Sequence, residues 1–184
     1  MKCSEKGKNL IKKFESCKLT AYKDSKGIYT IGYGHTKNVK KGMVISKQKA
    51  LELFENDILI YEKKVNKYMN TYNFNQNQFD ALTSFAFNIG SIDGLTNNGK
   101  RSINEISNKI TLYNKCGGVV LKGLVKRRKA EKELFDKNSK TIEDVAKEVI
   151  KGKYGNGLER INNIAKSGYN YNEVQNVVNK LIKR

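Results

Sequence analysis

The sequence predicts an α+β chain, mainly helical with a small β-hairpin lobe, followed by a small all-α unit of three helices. Three observations predict it. Between residues 14 and 36 the apolar period changes: Leu10, Ile11 and Phe14 recur at helical spacing, whereas Tyr22, Tyr29, Thr30 and Ile31 belong to a stretch rich in strand formers. From residue 46 to 136 the apolar residues return at helical spacing, between breaks rich in Gly and Asn. At 137–140 the pattern resets in the polar run KNSK, which divides the chain into 1–137 and 138–184.

Taken in order, residues 8–16 read as a short amphipathic helix and 19–35 as a β-hairpin. Its turn is Asp24, Ser25, Lys26 and Gly27, with Asp to open it and Gly for a positive φ. Two registers are open. A two-residue loop pairs Thr30 with Ala21 and turns Asp24 and Thr30 to opposite faces. A three-residue loop with Gly27 left-handed pairs Tyr22 with Thr30 and puts Asp24 and Thr30 on one face; this is the register expected. Ser46 caps a helix over 46–69, with Ala50, Leu51, Phe54, Ile58, Tyr61 and Val65 on one side. Asn75 and Gln78 start a helix over 76–89 in the manner of a capping box. Its core face is Phe79, Leu82, Phe85, Ala86 and Ile89, and Gly90 ends it. A loop over 90–100, a helix over 102–114, a break at Gly117 and Gly118, and a basic helix over 123–136 follow. In the tail, Thr141 and Asp144 start a helix with Ile142, Val145, Val149 and Ile150 apolar, and two more short helices complete it.

A chain of 184 residues holds one well-buried domain, or one with a small appendage. Its 36 Lys and Arg against 18 Asp and Glu give +18, which favours encounter with polyanions: nucleic acid, an acidic membrane or an anionic cell wall. Most of the excess lies in residues 1–137, net +14, against +4 in 138–184. Cys3, Cys17 and Cys116 are odd in number and have no motif spacing, so they read as reduced thiols of a protein made in the cytoplasm. No segment approaches the length of a membrane span, and the charged start MKCSEKGKNLIKKFES lacks the apolar core of a signal peptide. Neither a metal nor another cofactor is expected.

Alone, Glu15 reads as a solvated helix carboxylate, Asp24 as a turn opener and Thr30 as an ordinary strand residue. Together they suggest more. Glycoside hydrolysis needs a protonated acid on one side of the bond and a carboxylate on the other. A helix that delivers one acid to a hairpin carrying a second places two carboxyls across a cleft.

The spacing Glu15, Asp24, Thr30, with the run Thr30-Ile31-Gly32-Tyr33-Gly34-His35, resembles the active-site signature of the phage-type lysozymes, glycoside hydrolase family 24. The resemblance continues through Gln78 to Gly90 and reappears at Gly117-Gly118 and in the stretch from Gly123 to Glu131, so it covers residues 8–136. It implies a lysozyme-like catalytic domain with a small β lobe. It further implies that Glu15 is the general acid, that Asp24 and Thr30 hold and activate the attacking water, and that the reaction inverts the anomeric carbon. His35 then supports the sheet beside the cleft, and Arg127 lies close to the acid. Ser16 stands where the family usually has Gly, Lys126 where Asn is usual and Lys122 where Pro is common. None of these removes a catalytic group.

The tail resembles the small three-helix wall-binding repeat of lysins, the CW-seven type, through GKYGNG at 152–157, Arg160, GYNY at 168–171, Val174-Gln175 and Val178-Asn179. Tyr154 is read as a ring that stacks on a sugar, and Arg160 as a partner for a muropeptide carboxylate. Gly155 and Gly157 read as turn residues, and Tyr169 and Tyr171 as candidates for the core.

The two resemblances imply an endolysin: an N-acetylmuramidase whose partner is bacterial peptidoglycan. It would accumulate in the host cytoplasm until a separate membrane-permeabilising protein releases it. A lytic transglycosylase needs the acid without the water-holding pair, so Asp24 and Thr30 argue against it. Direct membrane disruption by basic segments such as 174–184 is a third reading. Nucleic-acid binding would rest on charge alone, including Lys126-Arg127-Arg128-Lys129, with no recognisable motif. Neither nucleic acid nor stable membrane insertion is expected, and the oligomeric state is left open.

Overall fold

In the computed structural model, which describes residues 1–24, 27–137, 141–167 and 169–182, the chain opens with helix α1, Glu5–Glu15. The Ser4 hydroxyl accepts from Gly7 N, so the helix begins three residues before the expected start. Ser4 is itself held, its N–H and its hydroxyl both donating to Asp80.

Strand β1, Lys18–Lys23, pairs antiparallel with β2, Tyr29–Gly32, placing Tyr22 opposite Thr30 and Lys23 opposite Tyr29. Asp24 N donates to Ile28 O at 2.9 Å, which continues the ladder in the expected register of a three-residue loop. Gly27 has φ 79°, as that loop requires; Ser25 and Lys26 lie outside the described residues. β1 bulges between Lys18 and Tyr22. Its free edge takes a further partner: Ala21 N donates to Met43 O and Ile45 N to Leu19 O. The sequence carries no signal for that addition.

Helix α2, Lys47–Asn66, starts at Ser46 as expected but stops before 69, and a short turn α3, Met69–Tyr72, follows. Helix α4, Gln76–Ile89, has the expected capping box between Asn75 and Gln78. It is buried from Phe79 through Ala86, so Asp80, Thr83 and Ser84 are inside along with the apolar face. A helix buried all round packs on more than one side. Here α1, α2 and α7, Lys122–Asp136, all pack on α4. Ile89, placed on the core face by its spacing, is exposed at the helix end.

The 90–100 loop contains one short helical turn, α5 (Asp93–Thr96), closed by Asn97 in the left-handed region. Helix α6, Ile103–Ile110, is capped by Ser102 and Glu105 and ends short of the expected 114. Gly117 and Gly118 do more than break a helix. They are the two-residue turn of a small hairpin, β3 (Lys115–Cys116) and β4 (Val119–Val120), with φ 55° and 81°.

Phe54, Phe79, Leu82, Phe85, Ile106 and Phe135 are among the buried residues of one apolar cluster that joins these helices. A separate cluster holds Val145, Val149, Tyr154, Ile164, Val174 and Val178. It belongs to α8 (Ile142–Ile150), α9 (Gly157–Lys166) and α10 (Tyr171–Ile182). Thr141 and Asp144 cap α8 as expected, but Ile142 and Ile150 are exposed rather than inside. Of the expected linker 137–140, residues 138–140 lie outside the described residues.

Candidate active site

Glu15 is the last residue of α1, and the chain leaves the helix abruptly at Ser16, with φ 56° and ψ 161°. Non-glycine residues rarely adopt that conformation. The turn after β2 is as tight: Ile31 and His35 exchange backbone hydrogen bonds of 2.8 and 2.9 Å across Gly32, Tyr33 and Gly34. Gly34 has φ 89°, and a Cβ there would lie 3.5 Å from Glu15 Oε2. The turn thus brings the β lobe beside the carboxyl, and its φ calls for glycine.

The Glu15 carboxyl meets a guanidinium from the other end of the chain. Arg127, on α7 and only 3 % exposed, brings Nη1 to 2.5 Å from Glu15 Oε1. Its Nη2 donates to Ser84 O at 3.1 Å, and its Nε donates to Glu131 Oε1 at 3.0 Å. The plane of the group is therefore fixed on three sides.

A cleft with a cavity volume of about 270 Å³ opens at Glu15, with His35, Asp57, Ile60, Tyr61 and Asn88 among its lining residues. His35 Nδ1 lies 2.8 Å from Asp57 Oδ2 and Nε2 lies 2.9 Å from Lys37 O. Nδ1 thus joins the β2 turn to α2, and Nε2 closes on the loop that follows the turn. Tyr61 packs on Phe87, with ring centroids 4.9 Å apart. Burial, then the nearby Asp57 and Glu15 carboxylates, pushes its phenol above the ordinary range.

Asp24 and Thr30 are not among the lining residues of that cleft; they stand on the hairpin. Asp24 Oδ1 accepts from Ile28 N at 2.9 Å. The Thr30 hydroxyl donates to Ile28 O at 3.1 Å, and the residue is 4 % exposed. The Tyr22–Thr30 pairing puts Asp24 and Thr30 on one face of the hairpin. Burial, then the Glu15 and Asp24 carboxylates, raises the Tyr22 phenol, so one side chain feels both charges.

The structure sets Tyr154 apart from the use expected of it. Tyr154 is 9 % exposed and belongs to the core of α8–α10, so its ring has no open face for a sugar; it is a packing residue. Arg160 spends Nε on Gly155 O at 3.0 Å and Nη2 on Asn156 Oδ1 at 2.9 Å, bracing the glycine-rich turn. Among the described residues no group of three His, Cys, Asp or Glu is placed to hold a metal ion, and all three cysteines are free.

Sequence reasoning missed Tyr22, Asp57, Ser84 and Glu131. Only Glu131 had a readable signal: it stands four residues after Arg127 and three after Arg128, on the same helix face as both. The others reach the site by tertiary packing.

The family described as Phage lysozyme matches residues 12–131, and the CW_7 repeat matches residues 143–182. An endolysin of Lactococcus phage c2 is 42% identical over 140 residues, which are 74% of this chain and 61% of that protein. The chain thus spans less than two thirds of this relative's length. An endolysin of Acyrthosiphon pisum secondary endosymbiont phage 1 is 36% identical, over 74% of this chain and 99% of its own length. Among solved structures, the muramidase domain of SpmX from Asticaccaulis excentricus superposes with a TM-score of 0.64 at 34% identity, covering 74% of this chain and 99% of that one.

Proposed function

The chain belongs to the phage lysozyme family, and from that premise we propose that it is an endolysin that hydrolyses peptidoglycan. The bond cut is the β-1,4 link between N-acetylmuramic acid and N-acetylglucosamine, with inversion. Residues 1–137 form the catalytic unit and 138–184 the wall-binding unit. The carrying observation is that Glu15 lines a cleft, braced by Arg127, while the adjoining hairpin carries Asp24 and Thr30 on one face.

In this reading Glu15 protonates the glycosidic oxygen. Asp24 takes the proton of a water on the opposite face of the sugar, and the Thr30 hydroxyl oxygen helps to seat that water. An inverting pair leaves roughly 6.5–9.5 Å between its carboxyls, room for the water. Arg127 keeps the Glu15 carboxyl in one orientation. His35 holds the cleft wall, through Asp57, where the sugar passes. Arg160 is the tail contact assigned to a muropeptide carboxylate. The CW_7 repeat keeps the catalytic unit near its substrate by raising its effective concentration at the wall. Among the described residues no helix is long and apolar enough to cross a membrane, and release from the host cytoplasm is assigned to a separate permeabilising protein.

Product analysis tests the reading. Purified peptidoglycan should yield reducing-end N-acetylmuramic acid with the wild-type protein. Glu15→Gln should lower that yield roughly 10²–10⁴-fold, the usual contribution of a positioned acid. Anhydro-muramyl ends would replace hydrolysis with transglycosylation. Undiminished lysis by Glu15→Gln would point to membrane disruption instead.

A further inference from the structure

Helix α7 carries a second buried carboxylate that the proposed chemistry does not use. Glu131 is 0 % exposed. Its Oε1 accepts from Ser84 Oγ at 2.7 Å and from Arg127 Nε at 3.0 Å. On its other side Arg128 Nε lies 3.0 Å from Oε2, without the alignment of a hydrogen bond. Arg128 is buried as fully, 4.7 Å over the Phe85 ring, and donates through Nη2 to Asn88 Oδ1 in the cleft lining.

Such burial is costly. It pushes the Glu131 carboxyl up and the Arg128 guanidinium down to about 10. Apolar side chains of similar volume would fill the space at no such cost. The arrangement becomes intelligible when charges are matched. Arg127 and Arg128 are two cations, and Glu131 balances one. The carboxyl that Arg127 has left to meet is Glu15.

We propose that Glu131 is a positioning residue for Glu15: it holds Arg127 by Nε while Ser84 O holds Nη2, so that Nη1 can point only at Glu15. A planar guanidinium fixed at two of its nitrogens has no remaining freedom of rotation. Arg128 balances the Glu131 charge without touching Glu15. The inference rests on Glu15 being the acid of the proposed hydrolysis. The groups facing Glu15 are Arg127 and, at longer range, Arg128 from α7, Tyr22 from β1 and Tyr61 from α2, with His35 and Lys37 after β2 and Asp57 from α2 lining the same cleft.

The test compares Glu131→Gln, the double variant Glu131→Gln/Arg128→Met and Ser84→Ala, with soluble peptidoglycan fragments as substrate. Folding is checked by a cooperative urea transition. In the double variant, which removes one charge of each sign, kcat should fall about 10–100-fold with KM within about twofold. In Glu131→Gln an extra uncompensated cation faces Glu15, so the alkaline limb of kcat/KM against pH should move to lower pH. The double variant should leave that limb in place. Ser84→Ala deletes one hydroxyl, leaves every charge and should lower kcat about 3–10-fold; it decides the matter if neither Glu131 variant folds. Folded variants with wild-type kcat and an unmoved pH profile would overturn the positioning role while leaving the hydrolase reading intact. Wild-type protein that releases no reducing ends would defeat both.

Discussion

Ser16 occupies a backbone conformation that belongs almost entirely to glycine, one residue after the carboxyl on which the cleft depends. Holding a side chain there costs on the order of 1–3 kcal/mol. Ser16→Gly should therefore raise stability by about 1 kcal/mol in urea unfolding, even though glycine also loosens the unfolded chain. No gain would mean that Ser16 carries no such strain. Glycines at 32 and 34 meet the same demand on the opposite wall, where φ is 63° and 89°. Gly34→Ala should lower stability by on the order of 1–3 kcal/mol, because a side chain at that φ is strained, and should lower activity as well, because the added methyl stands beside Glu15 Oε2. A lower unfolding midpoint together with reduced turnover of the folded variant would verify that. These residues show what a sequence tells about a site. The acids, the hydroxyl and the glycines announce themselves by spacing. Tyr22 and Asp57 do not, because an ordinary tyrosine in a strand and an ordinary aspartate on a helix gain meaning only from what packs opposite them.

Elements repeat the lesson with caps and turns. Local chemistry located the starts of α2, α4 and α8 at Ser46, Asn75 and Thr141, since one side chain satisfies one backbone donor there. It did not show that α1 starts at Ser4, whose place depends on the distant Asp80. Nor did it show that Gly117 and Gly118 join two strands, because two residues per strand are too few for a visible alternation. Thr141→Ala should cost about 0.5–2 kcal/mol. Faster amide exchange within 142–150, with α4 amides unchanged, would show that the penalty stays in the tail cluster. Between α6 and α7, Lys132 donates to both Ser107 Oγ and Asp136 Oδ2, and Ser107 Oγ donates to Asp136 Oδ1 at 2.5 Å. Burial alone would raise the Asp136 carboxyl, but these donors outweigh it and hold it below the ordinary carboxylate range. A depressed carboxyl adds stability that is present above its unfolded pKa and is lost as pH falls through the folded value. Asp136→Asn should thus flatten the fall of Tm below about pH 4 that the wild type shows. A slope identical to wild type would remove this clasp from the acid response.

At the scale of the whole molecule, charge is the main fact. An excess of +18 acts over a Debye length of about 8 Å at physiological salt and over less when salt is added. Retention on insoluble wall should weaken steadily from about 0.05 to 0.5 M NaCl, while cleavage of short neutral fragments should change little. Salt-independent retention would assign wall affinity to the repeat alone.

Glu15 and Arg127 are 112 residues apart in the chain. At roughly 5–20 residues per second, a ribosome adds Arg127 about 6–22 s after Glu15. Throughout that interval the nascent chain carries an acid without the cation that orients it. The Glu15–Arg127 pair is completed only when the first 127 residues have been read. A chain cut short before α7 should therefore show no muramidase activity, which an assay of residues 1–121 for reducing-end release checks.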